Sequence, residues 1–328
     1  MKIGSLLLRQ LCIVFSLVLC VSVAGAALAQ SYPNKPIRII VPYAPGGGTD
    51  QLARIVGLKL EAAFGQTVIV DNRAGGGGII GTELAAKASP DGYTLVVVSA
   101  SEAINPSLNL KIPWDPVKDF APITQATANP YILVVHVSVP AKTVKELIAF
   151  AKSKKGGITY AVSGIGSAGH LGMELLKTLA GFDAVSVPYK GAGPAIIDLI
   201  AGQTDAYIVG PLVAMPHVRT GKLRALATTS LERVAVLPDI PTVAEAGFPG
   251  YEVSGWYGFS APAGTPREVV AKLYKEISRS LTLPDVRDRM MANGQEPVGS
   301  TPEKFAAYIK AEMIKWEKVI KQSGARAD

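Results

Sequence analysis

The chain has 328 residues, and its 33 Lys and Arg against 26 Asp and Glu give a formal net charge of +7. The basic residues are dispersed, with no run longer than Lys154-Lys155, which argues against a nucleic-acid-binding surface and indicates a mild preference for anionic ligands. Three histidines without a close pair do not make a metal site, so we expect neither a metal nor a cofactor.

The first 29 residues are typical of a secretory signal peptide, with a positive start, an apolar run and a small-residue cleavage motif: Lys2 and Arg9, Leu11 to Val23, and Ala27-Leu28-Ala29. The run is short for a membrane-spanning helix of ~20 residues. Leu19 is bulky where a lipid-modified Cys20 would need a small neighbour. We expect cleavage after Ala29 and an exported mature protein, without Cys12 or Cys20 and therefore without disulfides.

Strand and helix patterns alternate along the remaining 299 residues, which is enough chain for one large domain or two ordinary ones. This alternation predicts an α/β fold with mostly parallel sheets flanked by helices.

A glycine-rich loop joins the first strand to the first helix. The β-branched run Ile37–Val41 predicts a buried strand, and Leu52, Ile55, Val56 and Leu60 mark the apolar face of a helix. Between them lies Gly46-Gly47-Gly48-Thr49-Asp50, where unpaired N–H groups and the positive helix end favour an anion. We expect Gly47, Gly48 and Thr49 to donate to a ligand, and we include Asp50 in the ligand site as a helix-capping residue whose carboxylate is turned toward the backbone.

The same arrangement recurs after the strand pattern Ile158–Val162. The loop Ser163-Gly164-Ile165-Gly166-Ser167-Ala168-Gly169-His170 precedes another amphipathic helix, and its candidate donors are Ser163, Gly164, Gly166, Ser167 and Ala168. His170 either contacts the ligand or is bonded to its own loop. Two such loops in an exported chain predict two lobes that grip one anion.

Further candidates come from the ends of other strands and from aromatic side chains. Ser99 and Ser101 follow an apolar strand, at the end where ligands bind in open α/β sheets, and Gly210 follows the strand pattern Ala206–Val209. Tyr43, Tyr189 and Trp256 are weaker candidates for lining the cleft.

We place the crossings between lobes near Asn129-Pro130 and near Gly255–Phe259. This predicts a first lobe of residues 30–130 plus 254–328 and a second lobe of residues 131–253.

Three rival functions remain open. Gly164, Gly166 and Gly169 fit the dinucleotide pattern G-x-G-x-x-G, but the expected acidic residue after the next strand is missing. Ser167 and His170 suggest a hydrolase, but no G-x-S-x-G elbow is present. A receptor that signals to a membrane kinase needs the same closing cleft as a transport receptor.

Seven stretches of the mature chain together form a specific pattern: Tyr32-Pro33-Asn34-Lys35-Pro36-Ile37-Arg38, Pro45-Gly46-Gly47-Gly48-Thr49-Asp50, Asp91-Gly92-Tyr93-Thr94-Leu95, Ala103-Ile104-Asn105-Pro106-Ser107-Leu108, Val187-Pro188-Tyr189-Lys190-Gly191, Leu237-Pro238-Asp239-Ile240-Pro241-Thr242 and Pro297-Val298-Gly299-Ser300-Thr301-Pro302. In these stretches, and over its whole mature length, the chain resembles the substrate-binding receptors of tripartite tricarboxylate transporters, often called Bug receptors.

The resemblance implies a two-lobed, type II-like periplasmic binding protein that is not an enzyme. It implies a small organic carboxylate, held largely by backbone N–H groups and water and delivered to membrane-embedded transporter subunits when the lobes close. We expect a monomer. Glu102 stands where histidine is common in the family. Val209-Gly210 lacks the acidic residue of many members, which favours a plain carboxylate over an amino acid.

Overall fold

The computed structural model describes residues 32–108, 111–234, 237–291 and 295–323. The expected signal peptide, its cleavage site and both cysteines lie outside these ranges. The strands in chain order are β1 (Ile37–Val41), β2 (Val68–Asn72), β3 (Thr94–Ser99), β4 (Phe120–Pro130), β5 (Ile132–His136), β6 (Ile158–Val162), β7 (Ala184–Pro188), β8 (Ala206–Val209), β9 (Leu223–Thr228), β10 (Ser254–Pro262) and β11 (Glu296–Pro297).

Helices follow most of these strands, as the alternating pattern predicts. They are α1 (Gly48–Phe64), α2 (Ile79–Ala86), α3 (Ser101–Ile104), α4 (Val144–Ser153), α5 (Ala168–Ala180), α6 (Ala192–Ile200), α7 (Pro211–Arg219), α8 (Arg267–Thr282), α9 (Pro284–Met291) and α10 (Pro302–Ser323), with a 3₁₀ turn at Gly76–Gly78 before α2.

The strands form two sheets, in the orders β11-β4-β10-β3-β1-β2 and β7-β6-β8-β5-β9. We call the part built on the six-stranded sheet lobe 1 and the part built on the five-stranded sheet lobe 2. The α/β fold is the predicted one, but the sheets are mixed. Strands β1, β2 and β3 pair in parallel, as do β6, β7 and β8, whereas β4, β5, β9, β10 and β11 make antiparallel pairs.

The antiparallel pairs arise where the chain passes between the lobes. Tyr131 is the single residue between β4 of lobe 1 and β5 of lobe 2, and the chain returns between β9 and β10. Strands β5 and β10 enter their sheets from the other lobe, and each runs antiparallel to both of its neighbours. The sheets therefore change at the predicted first crossing, while the residue boundaries of the lobes stay a prediction.

One apolar core runs through both sheets. Ile40 and Val96 of lobe 1 belong to the same buried cluster as Leu133 and Tyr160 of lobe 2. Helix α10 packs against α3 and β4 of lobe 1 and against α5 of lobe 2. Its buried stripe carries the predicted apolar residues: Phe305, Ile309, Trp316 and Ile320.

The capping-box pattern Thr242-Val243-Ala244-Glu245 predicts the start of a short helix, but the described structure has a turn there. The capping box itself forms, because Thr242 Oγ1 accepts from the Glu245 N–H at 3.0 Å and Glu245 Oε2 accepts from the Thr242 N–H at 2.9 Å. Gly247, with a left-handed φ of +112°, ends the helical path after one turn.

Candidate functional site

A cleft between the two lobes contains a cavity of about 40 Å³. The residues that line it come from both sheets, and all of them are glycine, alanine, valine, serine, threonine or tyrosine. No charged side chain is among these lining residues. The cleft therefore offers N–H and hydroxyl donors without a fixed countercharge.

Four helices begin at this cleft. The lining includes Gly48 at the start of α1, Ala168 at the start of α5 and Ala192 at the start of α6, together with Gly210 directly before α7. The first N–H groups of a helix have no partner within that helix, and the helix dipole places partial positive charge at this end. Their convergence on one uncharged space is the kind of arrangement that favours an anion.

The loop from β1 to α1 is held by Asp50, which lies in the first turn of α1. Its Oδ2 accepts from the Gly46 N–H at 2.9 Å, and the carboxylate also accepts from Arg54 Nε and Asn72 Nδ2, each at 3.1 Å. Burial alone would raise the pKa of Asp50, but these three donors outweigh it and hold the pKa below its ordinary value. The negative charge of Asp50 thus accepts hydrogen bonds from its own loop, from α1 and from β2.

The loop from β6 to α5 is held in lobe 2 by three hydrogen bonds. Ser163 Oγ lies 2.5 Å from the Oη of Tyr207, a buried residue of β8. The N–H of Gly166 donates to His170 Nδ1 at 3.5 Å, and the His170 N–H donates to Ser167 Oγ at 3.3 Å. Burial is the main cause of a lowered pKa at His170, so the ring is neutral near pH 7 and accepts this bond.

Hydroxyl groups line the lobe 1 side of the cleft. Tyr43 Oη donates to Ser101 Oγ at 3.0 Å and lies 3.4 Å from Ser99 Oγ. The side chains of Tyr257 and Tyr131 are hydrogen-bonded to each other. Burial raises the pKa of all three tyrosines, so each phenol keeps its proton and remains a donor at neutral pH.

The structure brings most of the predicted site residues together at this cleft. Those that line it are Tyr43, Gly47, Gly48, Thr49, Ser99, Ser101, Ser163, Ser167, Ala168 and Gly210.

Six predicted residues do not line the cleft: Asp50, Gly164, Gly166, His170, Tyr189 and Trp256. Asp50, Gly166 and His170 instead hold the two loops, as described above. Tyr189 Oη donates to Asp198 at 2.9 Å, and burial is the first cause of a pKa of about 12 for its phenol. Trp256 is fully buried and donates to Glu312, so it packs inside lobe 1.

Five lining residues were not predicted from the sequence: Tyr131, Gly169, Ala192, Val209 and Tyr257. Tyr131 and Tyr257 lie in the segments that cross between lobes, which must pass beside the cleft. Ala192 follows a Gly191 helix entry that was visible in the sequence, and it carried the same signal as the two glycine-rich loops.

The glycines of the dinucleotide-like pattern are used for packing. A β-carbon at Gly164 would lie 2.8 Å from Gly77 Cα, and one at Gly169 would lie 2.1 Å from the Ile208 carbonyl oxygen. Ser167 accepts from a backbone N–H and so caps α5. These contacts explain the pattern without a cofactor or a nucleophile.

Within residues 32–108, 111–234, 237–291 and 295–323, no group of histidine and acidic side chains is arranged to hold a metal ion. In the same ranges, no helix combines the length and the apolar character needed to cross a bilayer.

Comparison with known proteins identifies the family. Residues 52–325 match the family described as "Tripartite tricarboxylate transporter family receptor". Protein BugT of Bordetella pertussis is 36% identical over 320 residues, which are 97% of this chain and 98% of BugT.

Two solved structures resemble the fold closely and contain carboxylates. Rpa4515 of R. palustris with adipate has a TM-score of 0.86 at 35% identity, covering 89% of this chain and 98% of Rpa4515. MatC of Rhodopseudomonas palustris with bound malate has a TM-score of 0.84 at 34% identity, covering 88% of this chain and all of MatC. The chain therefore belongs to the tripartite tricarboxylate transporter receptor family, as a periplasmic solute-binding receptor of the Bug type.

Proposed function

We propose that this receptor captures a small organic carboxylate in the inter-lobe cleft and delivers it to the membrane-embedded subunits of a tripartite tricarboxylate-type transporter. The observation that carries the proposal is the convergence of α1, α5, α6 and α7 on one uncharged cleft. Rpa4515 with adipate and MatC with malate support a carboxylate as the ligand.

The donors that we assign to the ligand lie on both lobes. Gly48 and Thr49 offer backbone N–H groups from lobe 1, and Ala168 and Gly169 offer them from lobe 2. Hydroxyl groups of the lining add neutral donors. A buried arginine clamp would bind a carboxylate through stronger, charge-assisted bonds and at a larger desolvation cost. Neutral donors therefore suit a receptor that must release its ligand.

The ligand that fits this lining is a carboxylate without an amino group. An ammonium group needs a carboxylate or several acceptors when it is buried, and the lining has no acidic residue. Val209 and Gly210 occupy the end of β8, where an acid would have faced the cleft. Equal calorimetric affinity for glutamate and for a dicarboxylate of similar length would contradict this part of the proposal.

We further propose that the mature protein is a periplasmic monomer and binds without catalysing a reaction. Asp50 and His170, the ionisable groups of the two loops, are bonded within those loops and do not line the cleft. This arrangement leaves the ligand without an adjacent acid or base in the lining, which supports a binding role.

The direct test is native mass spectrometry of freshly purified protein, followed by a thermal-shift panel of carboxylates. A ligand at hundredfold excess over its dissociation constant should stabilise the fold by ~2.7 kcal/mol. Gly48→Ala should reduce this stabilisation, because the added β-carbon would lie 2.8 Å from Tyr257 Oη in the cleft. Gly57→Ala is the matched control, since it adds the same carbon to the same helix where its nearest neighbour is a Val68 methyl group.

The proposal fails if no acid co-purifies and no carboxylate of the panel raises the melting temperature. It also fails if Gly48→Ala and Gly57→Ala respond to adipate in the same way.

A further inference from the structure

Glu102 is a buried acid next to the cleft, and one of its oxygens has no partner. It follows the lining residue Ser101 in α3, and only 6% of its surface is exposed. Oε1 accepts from Thr82 Oγ1 at 3.1 Å, while Oε2 is buried without a hydrogen bond among the described residues. An ionised carboxylate in this position would have one hydrogen bond where it could accept several.

The Glu102 side chain interacts electrostatically with Tyr43, which lines the cleft. Ser101 accepts the hydrogen bond of Tyr43, and both residues line the cleft. Burial raises the pKa of Tyr43, its bonds to Ser101 and Ser99 lower it, and charge on Glu102 raises it further. A negative charge that opposes ionisation of Tyr43 also opposes a carboxylate bound beside the same phenol.

Among the described residues, no positive charge acts on the Glu102 carboxyl. Thr82 faces it from α2, and Tyr43 from the segment after β1. Helix α10 packs on α3 with Glu312 in its buried stripe, where Glu312 accepts from two indole groups and lies 3.6 Å from Lys315 Nζ. Burial raises the pKa of Glu102 to about 8, against a lowering by Thr82. The side chain is therefore largely neutral at pH 7.

We propose that Glu102 must carry its proton for the cleft to hold a carboxylate, so that ligand capture is coupled to one proton at this side chain. This inference rests on the proposed function. Glu102 is a positioning residue, since it does not line the cleft and affects the ligand through its charge, behind the lining residues Ser101 and Tyr43.

The reciprocal coupling between ligand binding and ionisation of Glu102 limits how strongly pH can change the affinity. If ionised Glu102 opposes the ligand, bound ligand must equally oppose ionisation and raise the pKa of Glu102. Above the pKa of the free protein, each pH unit then weakens binding by up to about tenfold, and binding takes up as much as one proton. Below that pKa the affinity is independent of this residue.

The test is isothermal titration calorimetry with adipate and malate as probes, from about pH 6.5 to pH 9.5, in buffers that differ in ionisation enthalpy. Wild-type affinity should be flat at low pH and fall above about pH 8, with proton uptake in the same range. Glu102→Gln keeps the shape without a titratable proton, so its affinity should stay flat and its binding should release or take up no proton.

Thr82→Val provides a second, independent variant. It removes the hydrogen bond that lowers the pKa of Glu102, so the fall in affinity should begin at a higher pH than in wild type. Melting temperatures without ligand check that each variant folds. Proton uptake by wild type alone tests the coupling even if a variant is unstable.

The outcomes separate this inference from the proposed function. If adipate and malate bind wild type and Glu102→Gln with the same pH profile, or wild type binds without proton uptake above pH 8, the coupling is wrong and the receptor function stands. If no carboxylate binds either protein at any pH, the proposed function fails and the coupling falls with it.

Discussion

The backbone N–H of Ala44 in lobe 1 donates a hydrogen bond of 2.8 Å to the backbone carbonyl of Lys190 in lobe 2. The lobes meet again where a β-carbon at Gly77 would lie 2.6 Å from the carbonyl oxygen of Ile165. Both contacts join loops that lie beside the cleft, and both are made by backbone atoms. The two lobes therefore touch along a seam beside the cleft, with glycine at the point of closest approach.

The first prediction concerns this seam. Gly77→Ala should weaken adipate binding by at least about tenfold, or ~1.4 kcal/mol, because the added carbon collides with Ile165 and keeps the lobes apart. Small-angle scattering should show a wild-type protein that becomes more compact with ligand and a variant that does not.

Gly65→Ala is its matched control. Gly65 has a left-handed φ of +64° and Gly77 one of +65°, so alanine strains both backbones alike. A β-carbon at Gly65, however, has no neighbour within 4 Å. Both variants should lose similar stability, and equal adipate affinity in the two would show that the seam is irrelevant to binding.

The second prediction concerns the hydroxyl that holds the lobe 2 loop. Tyr207→Phe removes the partner of Ser163, so the loop loses one fixed point and adipate affinity should fall about fivefold, or ~1 kcal/mol. Tyr160→Phe is the control, because it removes another buried hydroxyl of the same sheet that donates to Glu174. Calorimetry that finds equal affinity losses in both variants would count against a specific role for the Tyr207 contact.

These contacts show what the sequence could and could not provide. Glycine and N-cap residues placed between a strand and an amphipathic helix are local signals, so the loops at Gly47 and Ser167 were predicted correctly as strand-to-helix connections. Tyr207 lies 44 positions from Ser163 along the chain, and no local pattern indicates that pairing. Tyr131 and Tyr257 reach the cleft because strands cross between lobes, and side-chain direction at a crossing depends on register.

The third prediction concerns pH and Asp50. Its folded pKa lies below its ordinary value, so its contribution to stability is present above the unfolded pKa of ~3.9 and is lost as pH falls through the folded pKa. Asp50→Asn should lower the free energy of unfolding at pH 7 by ~2 kcal/mol, because it weakens bonds from Gly46, Arg54 and Asn72. Urea unfolding should show this difference shrinking below about pH 4.

Glu61→Gln serves as the control for Asp50→Asn, since Glu61 is an exposed residue of the same helix. Its substitution should change stability little at any pH. An Asp50→Asn protein whose stability differs from wild type by the same amount at pH 7 and in acid would show that the charge of Asp50 is not what holds the loop.

The fourth prediction concerns the attachment of α10 to lobe 1. Buried Glu312 Oε2 accepts from Trp256 Nε1 at 3.1 Å and from Trp316 Nε1 at 3.0 Å, which ties the last helix to β10. Glu312→Ala leaves two buried indole N–H groups unpaired and should lower the free energy of unfolding by ~3 kcal/mol. Glu312→Gln keeps a carbonyl oxygen that accepts both bonds, so it should recover much of this loss.

The measurement is denaturant unfolding followed by tryptophan fluorescence, which reports on both indoles directly. Glu317→Ala is the control on the same helix, since Glu317 is exposed and pairs only with exposed Lys321 at 2.7 Å among the ion pairs of the described residues. Exposed pairs contribute ~0–1 kcal/mol, so this variant should unfold close to wild type. If Glu312→Ala unfolds at the same denaturant concentration as Glu317→Ala, the indole bonds do not stabilise α10, and burial of Phe305 and Trp316 alone must hold the helix in place.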